Sequence, residues 1–190
     1  MKLILASASP RRKEILQKEG YNFEVISSDY EEQNFSCNPY KTAKTFAFEK
    51  AKDVFSKFQD KDVVVLGADT VVYLNGKILG KPQDRQDAKR ILKNLSGNKH
   101  KVITGYAIIS KNKTIIGHDK SIVVFNKLSD AQIESYLDSN LYVGKAGAYG
   151  IQDGEFNFVK KYKGSINNVI GLPIEKINKL LKKLDKYCWY

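Results

Sequence analysis

One run of residues limits the possible fold more than any other part of this chain. Residues 62–73 form a long, mostly β-branched segment that is interrupted only at residues 67–69. Such a run predicts a strand. The pair Asn75-Gly76, which is typical of a two-residue hairpin turn, follows it and leads into residues 77–79. The sequence therefore predicts a long strand that turns back into an antiparallel partner.

Helix and strand signals alternate on both sides of this hairpin. Ser9-Pro10 predicts an N-cap with proline at the first helical position, and residues 129–132 resemble a capping box. The predicted helices cover residues 10–19, 40–58, 84–97, 129–138 and the stretch from 173 onward, and the predicted strands cover residues 3–6, 21–26, 62–73, 77–79, 101–110, 114–126 and 155–162. This order predicts an α/β fold, a mixed sheet flanked by helices, in one domain over residues 1–190.

The chain has a formal net charge of +11, which favours polyanionic partners such as nucleic acid. Much of the excess lies in Lys160, Lys161 and Lys163 and in the stretch 176–186, where lysines alternate with apolar residues. That spacing is typical of an amphipathic helix with a solvated face. We therefore favour a solvated surface, and nucleic-acid binding is the less favoured alternative.

Apolar segments and cysteines indicate where such a chain resides. No apolar run approaches the roughly 18 residues needed to cross a bilayer, and the N-terminal apolar run is too short for a signal peptide. Cys37 and Cys188 lie far apart without metal-ligand spacing, which predicts free thiols in a reducing compartment. We expect a cytoplasmic protein without membrane association.

Carboxylates are the candidate metal ligands, because His100 and His118 are isolated and the sequence has no Cys/His cluster. Oxygen ligands favour Mg²⁺ or Mn²⁺ over zinc. Asp69 interrupts a hydrophobic strand, where an unpaired carboxylate is costly to bury, and a metal ion is one partner that would compensate it. Glu31 lies in an acidic loop, and that position alone is more typical of solvated surface than of a metal ligand.

A candidate anion site lies at the start of the first predicted helix. A strand that leads into a capped helix directs backbone N–H groups and the positive helix end toward one point. Ser7 precedes this turn, and Arg11 and Arg12 within it are bidentate donors suited to phosphate. Basic residues there oppose the helix dipole, which favours a functional role. The alternative is an ordinary serine cap with surface arginines.

Further polar residues suit a phosphorylated ligand. Lys50 lies on the polar side of the second predicted helix, and Lys81 stands between glycine and proline just after the hairpin. A triphosphate needs several cations beside its metal. Gln152 ends a Gly- and Ala-rich loop, so its amide could contact a base edge. Taken singly, each lysine is more typical of exposed surface than of a binding site, and the loop is equally consistent with a purely structural role.

Together these segments resemble the Maf family of nucleotide pyrophosphatases over nearly the whole chain. The matching motifs, in the family's order, are Ser7-Ala8-Ser9-Pro10-Arg11-Arg12, Glu31-Glu32, Phe48-Glu49-Lys50-Ala51, Gly67-Ala68-Asp69-Thr70, Gly80-Lys81-Pro82, Leu95-Ser96-Gly97 with His100, Lys145 to Gln152, and Gly164-Ser165 leading to Val169-Ile170-Gly171-Leu172-Pro173. The segment ending in Gln152 is similar to the branch that acts on dTTP and UTP, and unlike the branch that acts on 7-methyl-GTP.

The resemblance implies a twisted mixed sheet in two lobes around a central cleft, a divalent metal cofactor and a nucleoside triphosphate substrate. It implies Asp69 as the catalytic proton acceptor. The specificity residues it implies are Arg11, Thr70 and Gln152, and the further cleft residues are Glu31, Lys50 and Lys81. Our hypothesis adds that Glu31 and Asp69 hold the metal, and that Arg12 helps to neutralise the phosphates.

Two other classes of function remain at this point. One is a basic nucleic-acid-binding protein, which would give no reason for Asp69 inside a strand. The other is a non-catalytic nucleotide-binding regulator of cell division. The sequence leaves the oligomeric state open, with a homodimer as one option.

Overall fold

The computed structural model describes residues 2–32, 36–58 and 62–184. Cys188 and the predicted helical residues 185–186 lie outside these ranges. The strands are Lys2–Ala6 (β1), Phe23–Val25 (β2), Val63–Leu74 (β3), Lys77–Leu79 (β4), Lys99–Ser110 (β5), Lys113–Phe125 (β6) and Val159–Lys163 (β7). The α-helices are Pro10–Lys18 (α1), Pro39–Ser56 (α2), Arg85–Leu95 (α3), Asp130–Asp138 (α4), Ile166–Ile170 (α5) and Ile174–Leu184 (α6).

The described strands form one mixed sheet, in the order β2-β1-β3-β5-β6-β7, with β4 added beside β3. β1 runs parallel to β2 and β3, whereas the other pairs are antiparallel. One edge of β3 pairs with β5, and the other edge has two partners. β1 pairs with residues 63–67 and β4 with residues 72–74, so residues 68–71 face a gap between the two partner strands.

Helices cover both faces of this sheet. Val65 of β3 packs in a buried cluster with α2, whereas Val64 packs in a cluster with α1 and α6 on the opposite face. Side chains alternate along a strand, so Asp69 shares the α2 face and Thr70 shares the α1 and α6 face. Two adjacent residues at the gap therefore belong to different faces of the sheet.

Two glycines let α2 lie directly on the sheet. A Cβ on Gly67 would stand 2.3 Å from a carbonyl oxygen of α2, and one on Gly105 would stand 2.1 Å from another. No side chain fits at such distances, so the close approach requires glycine. The approach brings Lys50 of α2 within contact of Asp69 on β3.

The mixed sheet flanked by helices confirms the predicted fold class, and the Asn75-Gly76 turn joins β3 to β4 as expected. Two local predictions were wrong. Residues 166–170, expected as a loop, form α5, because a helix of five residues carries too little periodicity to detect. The last strand begins at Val159 and not at residue 155, because a 3₁₀ turn occupies residues 154–156.

α6 has the amphipathic pattern that the sequence predicted. It buries Ile177 and Leu181, whereas Lys176, Lys179, Lys182 and Lys183 are exposed. No described helix combines the length and the hydrophobicity of a membrane span. Cys37 is a free, exposed thiol.

Candidate active site

A cavity of about 520 Å³ opens beside the gap in the pairing of β3. Its volume lies in the range of small-molecule sites. The loop after β1, the first turn of α1, α2, residues 69–72, the loop after β4 and residues 143–152 all contribute to its walls. The predicted site residues that line it are Ser7, Arg11, Arg12, Lys50, Asp69, Thr70, Lys81 and Gln152. Segments far apart in sequence therefore meet at one place.

Asp69 and Glu32 share the ammonium group of Lys50. Lys50 Nζ lies 2.6 Å from Asp69 Oδ1 and 2.7 Å from Glu32 Oε1, and Lys81 Nζ lies 2.8 Å from the same Glu32 oxygen. The Asp69 side chain is only 5% exposed and that of Lys50 12%. The partner that a carboxylate in this strand requires is therefore a lysine of α2.

The environments of the two carboxylates shift their pKa values in opposite directions. Burial raises the pKa of Asp69 above its ordinary value, and Lys50 opposes this shift without cancelling it. Burial would also raise the pKa of Glu32, but the adjacent Lys50 and Lys81 outweigh it and lower that pKa to about 2. Glu32 is thus held ionised, while Asp69 is the carboxylate that accepts a proton more readily.

Of the two adjacent glutamates in the acidic loop, one faces the cavity and the other faces solvent. Glu32 lines the cavity and contacts two lysines, whereas Glu31 is exposed and is not among the lining residues. From the sequence, Glu31 rather than Glu32 was predicted to hold the metal together with Asp69. A loop has no fixed side-chain period, so adjacent glutamates could not be distinguished from the sequence.

Arg12 is held by three parts of the chain. Its Nη1 donates to Ser7 Oγ at 3.0 Å, its Nη2 to Thr70 Oγ1 at 3.2 Å, and its Nε to the Gly171 carbonyl at 2.8 Å. Burial lowers the pKa of this guanidinium, and Asp69 opposes the shift. Arg11 lines the cavity without a hydrogen bond from its guanidinium to the described residues. Arg11 is therefore the arginine available for direct contact with a ligand.

Ser9 occupies the N-cap position of α1, as the sequence predicted, but its side chain makes no capping hydrogen bond within the described chain. Ser7 Oγ instead accepts from the Ser9 backbone N–H at 3.2 Å and from Arg12. The serine that matters for this turn is therefore Ser7.

The loop that carries Gln152 is closed by a buried ion pair. Lys145 and Asp153 stand at its two ends, with side chains 10% and 11% exposed. Asp153 Oδ2 also accepts from Tyr136 Oη at 2.6 Å and from the Gly150 N–H at 3.0 Å. Gln152 itself is exposed at the cavity, and its amide makes no hydrogen bond to the described residues. The loop is thus fixed at its base while the Gln152 amide stays available.

His100 packs beneath the cavity wall and contacts Tyr149 of the same loop. Its Nε2 lies 2.7 Å from Tyr149 Oη, and its ring packs edge-on against Tyr149 and Phe125. Burial lowers the pKa of His100 to about 4, so the ring is neutral at physiological pH. His100 is therefore part of the core, and Tyr149 lines the cavity above it.

The donor set fits a divalent metal that is shared with a phosphate. Within residues 2–32, 36–58 and 62–184, no three His, Cys, Asp or Glu side chains gather closely enough to form a metal cage of their own. Glu32 and Asp69 are two carboxylates joined by one lysine at the cavity wall. Mg²⁺ is commonly bound by one or two carboxylates together with substrate phosphates, and these residues meet that requirement.

The chain is similar to known proteins over nearly its whole length. The profile of the Maf-like protein family matches residues 2–184. The dTTP/UTP pyrophosphatase of Alkaliphilus oremlandii is 49% identical over 95% of this chain and 94% of its own length. That of Aquifex aeolicus is 44% identical over 97% and 96%. The Staphylococcus aureus Ham1 protein has a similar fold, with a TM-score of 0.56, 9% identity, and coverage of 97% of this chain and 100% of that one.

Proposed function

Because this chain belongs to the Maf family, we propose that it hydrolyses nucleoside triphosphates to the monophosphate and pyrophosphate, with dTTP and UTP preferred. Relatives that match almost its full length carry the name dTTP/UTP pyrophosphatase. The observation that carries the proposal is the buried Asp69 carboxylate, held by Lys50 in a cavity whose other walls carry arginines. A proton acceptor and anion-binding groups therefore meet at one site.

In the proposed reaction, Asp69 accepts a proton from the attacking water. The water oxygen forms a bond to the α-phosphorus, the bridging bond to the β-phosphate breaks, and pyrophosphate leaves with the electron pair. The raised pKa of Asp69 makes it a better base than an ordinary aspartate. Lys50 fixes the carboxylate by a 2.6 Å contact and supplies positive charge next to the reacting groups.

Negative charge moves toward the leaving pyrophosphate as the bond breaks, and fixed cations stabilise it. Arg11 has no protein acceptor among the described residues and is the first candidate for this contact. Lys81, with a side chain 52% exposed, is the second. Arg12 contributes mainly through its charge and by holding Ser7 and Thr70 in place.

We propose that Glu32 and Asp69 hold a divalent cation, Mg²⁺ or Mn²⁺, together with the phosphates. Glu31, named from the sequence, lies outside the cavity wall. When bound, the cation would neutralise phosphate charge and polarise the phosphoryl oxygens. Lys50 contacts both carboxylates and so limits their mutual repulsion before the cation arrives.

Base selection is assigned to Gln152 and Thr70. A glutamine amide carries both a donor and an acceptor, and uracil and thymine present a carbonyl–NH–carbonyl edge. The Gln152 amide makes no hydrogen bond to the described residues, so it is available for such a pairing.

A cytoplasmic location follows from the proposed use of free nucleotides. The single domain over residues 1–190 and the homodimer stay predictions.

The test is pyrophosphate release with UTP, dTTP, CTP, ATP and GTP in the presence of Mg²⁺ or Mn²⁺, with both products identified. We expect turnover that favours UTP and dTTP and that stops when EDTA removes the metal. Asp69→Asn is expected to lower turnover by roughly 10²–10⁴-fold. Asp138→Asn is the matched control, because its exposed side chain lies outside the cavity wall.

Three outcomes of this assay would each contradict a different part of the proposal. A folded protein that releases no pyrophosphate from any nucleotide would exclude the activity and leave nucleotide binding without turnover. Near-native turnover of Asp69→Asn would remove Asp69 from the mechanism while the activity stood. Equal rates on purine and pyrimidine triphosphates would contradict the substrate assignment alone.

A further inference from the structure

A buried chain of hydrogen bonds lies behind Thr70, on the sheet face opposite Asp69. Thr70 Oγ1 is 3.0 Å from Thr104 Oγ1 on the paired strand β5. Thr104 Oγ1 is in turn 2.7 Å from the Asn168 carbonyl of α5. Thr104 and Asn168 are both 0% exposed, and neither lines the cavity. This chain of hydrogen bonds thus connects a cavity residue to two buried residues outside the cavity wall.

The positions of the hydroxyl protons follow from these distances. Two oxygens at 2.7 Å require a proton between them, and a backbone carbonyl can only accept, so the Thr104 hydroxyl donates to Asn168. Thr104 then has no proton left for its 3.0 Å contact with Thr70. The Thr70 hydroxyl must therefore donate to Thr104.

Asn168 is itself fixed by its surroundings. Its Nδ2 donates to the Val102 carbonyl at 3.1 Å and to Ser121 Oγ at 2.9 Å, and its Oδ1 accepts from the Thr104 backbone N–H at 3.2 Å. The carbonyl that accepts the Thr104 proton therefore cannot turn away. The fold therefore fixes the donor-to-acceptor direction of each hydrogen bond from Thr70 through Thr104 to Asn168.

We propose that Thr104, fixed by Asn168, is a positioning residue that makes the Thr70 hydroxyl a hydrogen-bond acceptor toward the bound base, and so selects an N–H group. Thr70 uses its only proton on Thr104 and one lone pair on Arg12 Nη2, which leaves one lone pair for the cavity. This inference rests on the proposed function, since it names how that site distinguishes its bases.

A hydrogen-bond acceptor at the Thr70 hydroxyl distinguishes ligand groups that donate a hydrogen bond from groups that can only accept one. It stabilises an N–H and repels phosphate oxygens, carbonyls and unprotonated ring nitrogens. Uracil and thymine have a proton on ring N3, whereas cytosine has a lone pair at the same atom and carries its N–H groups on the adjacent exocyclic nitrogen. The ring N–H of uracil or thymine is therefore the group we assign to Thr70.

Gln152 alone cannot supply this selection. Its amide makes no hydrogen bond to the described residues and its side chain is exposed, so it can rotate by a half turn and exchange donor for acceptor. Such an amide pairs equally well with uracil or cytosine. Thr70 differs because its proton is fixed by buried neighbours, and a site with fixed polarity rejects a mispaired base more sharply.

The experiment compares kcat/KM for UTP and CTP in the unmodified protein, Thr104→Val and Thr104→Ser. We expect the unmodified protein to prefer UTP, and Thr104→Val to lower the UTP-to-CTP ratio by about tenfold, the scale of one mispaired polar group. The Thr70 hydroxyl is then free to donate to N3 of cytosine. Thr104→Ser keeps a hydroxyl and is expected to keep the ratio, which a purely steric role would not require.

A double-mutant cycle and a direct observation complete the test. In a Thr70→Val background, Thr104→Val should leave the ratio unchanged, because the hydroxyl that it controls is absent. Neutron diffraction from crystals of the unmodified protein in D₂O should place the Thr70 deuterium on the line to Thr104. This measurement decides the proton direction even if Thr104→Val fails to fold.

The outcomes separate this inference from the proposed function. Three results would each overturn the inference and leave the pyrophosphatase proposal intact. They are equal turnover of UTP and CTP by the unmodified protein, an unchanged UTP-to-CTP ratio in active Thr104→Val, and a Thr70 deuterium directed into the cavity. Absence of pyrophosphate release from every nucleotide would overturn the proposed function, and neutron diffraction would still decide the direction of the Thr70 proton.

Discussion

The ion pair at the base of the Gln152 loop makes a prediction about stability that is not symmetric between its partners. In the native protein, Asp153 Oδ2 accepts hydrogen bonds from Lys145, Tyr136 and the Gly150 N–H. Asp153→Asn removes the charge that compensates Lys145, whereas Lys145→Met leaves Asp153 with two donors. We therefore expect Asp153→Asn to be the more destabilising replacement.

The size of each loss follows from burial. The two side chains are 10% and 11% exposed, so water replaces the lost partner only in small part. Leaving a buried ammonium unpaired costs about 3–5 kcal/mol of unfolding free energy, which is the expectation for Asp153→Asn. Lys145→Met is expected to cost about 1–3 kcal/mol, because the carboxylate keeps Tyr136 and Gly150. The double variant should cost less than the sum of the two single variants.

Urea unfolding of the three variants at one pH and two salt concentrations measures these losses. A buried pair is little screened, so the difference between Asp153→Asn and Lys145→Met should persist at high salt. Arg85→Gln is the matched control, because its ion pairs with Glu134 and Asp138 are exposed and should contribute at most about 1 kcal/mol. Equal losses below about 1 kcal/mol for Asp153→Asn and Lys145→Met would refute the reasoning.

Three further predictions concern the cavity. As pH falls, kcat/KM should decline with an apparent pKa above the ordinary aspartate value of about 3.9, because burial raises the pKa of Asp69 and its base form is lost on protonation. Lys50→Met removes the cation that opposes this shift, so the remaining activity should decline at a higher pH. Glu32→Gln should lower kcat/KM by about 10²-fold and weaken Mn²⁺ binding, while Glu31→Gln changes neither, and the reverse result would return the metal to Glu31. Gln152→Ala should weaken the preference for UTP over ATP in a competition assay yet keep turnover, and an unchanged preference would exclude a base contact.

The sequence was sufficient where one local rule decides the structure. Asn75-Gly76 predicted the β3–β4 turn, because a type of turn that needs positive φ at both residues favours this pair, and the observed φ values are 46° and 84°. Asp69 was recognised because a carboxylate in a hydrophobic strand must have a partner. The sequence could state that requirement without identifying Lys50, since the contact depends on where α2 crosses the sheet.

The residues that sequence analysis missed act through tertiary contacts that leave no local pattern. Thr104 lies inside a strand and Asn168 in a helix of five residues, where neither periodicity nor spacing distinguishes them. Lys145 and Asp153 are separated by an irregular loop, so their pairing follows no helical or strand interval. A buried polar residue reveals its purpose only when its partners are known, and those partners come from other elements.

The alternation of side chains along β3 has a consequence for how this protein can change over evolution. Asp69 and Thr70 are adjacent in sequence, but the first is supported by Lys50 of α2 and the second by Thr104 and Asn168 on the opposite face. Mutations in α2 therefore reach the lysine that supports Asp69, and mutations in α5 reach the asparagine behind Thr70. Substrate preference can drift, or be redesigned, through the α5 layer while the carboxylate and its lysine remain intact.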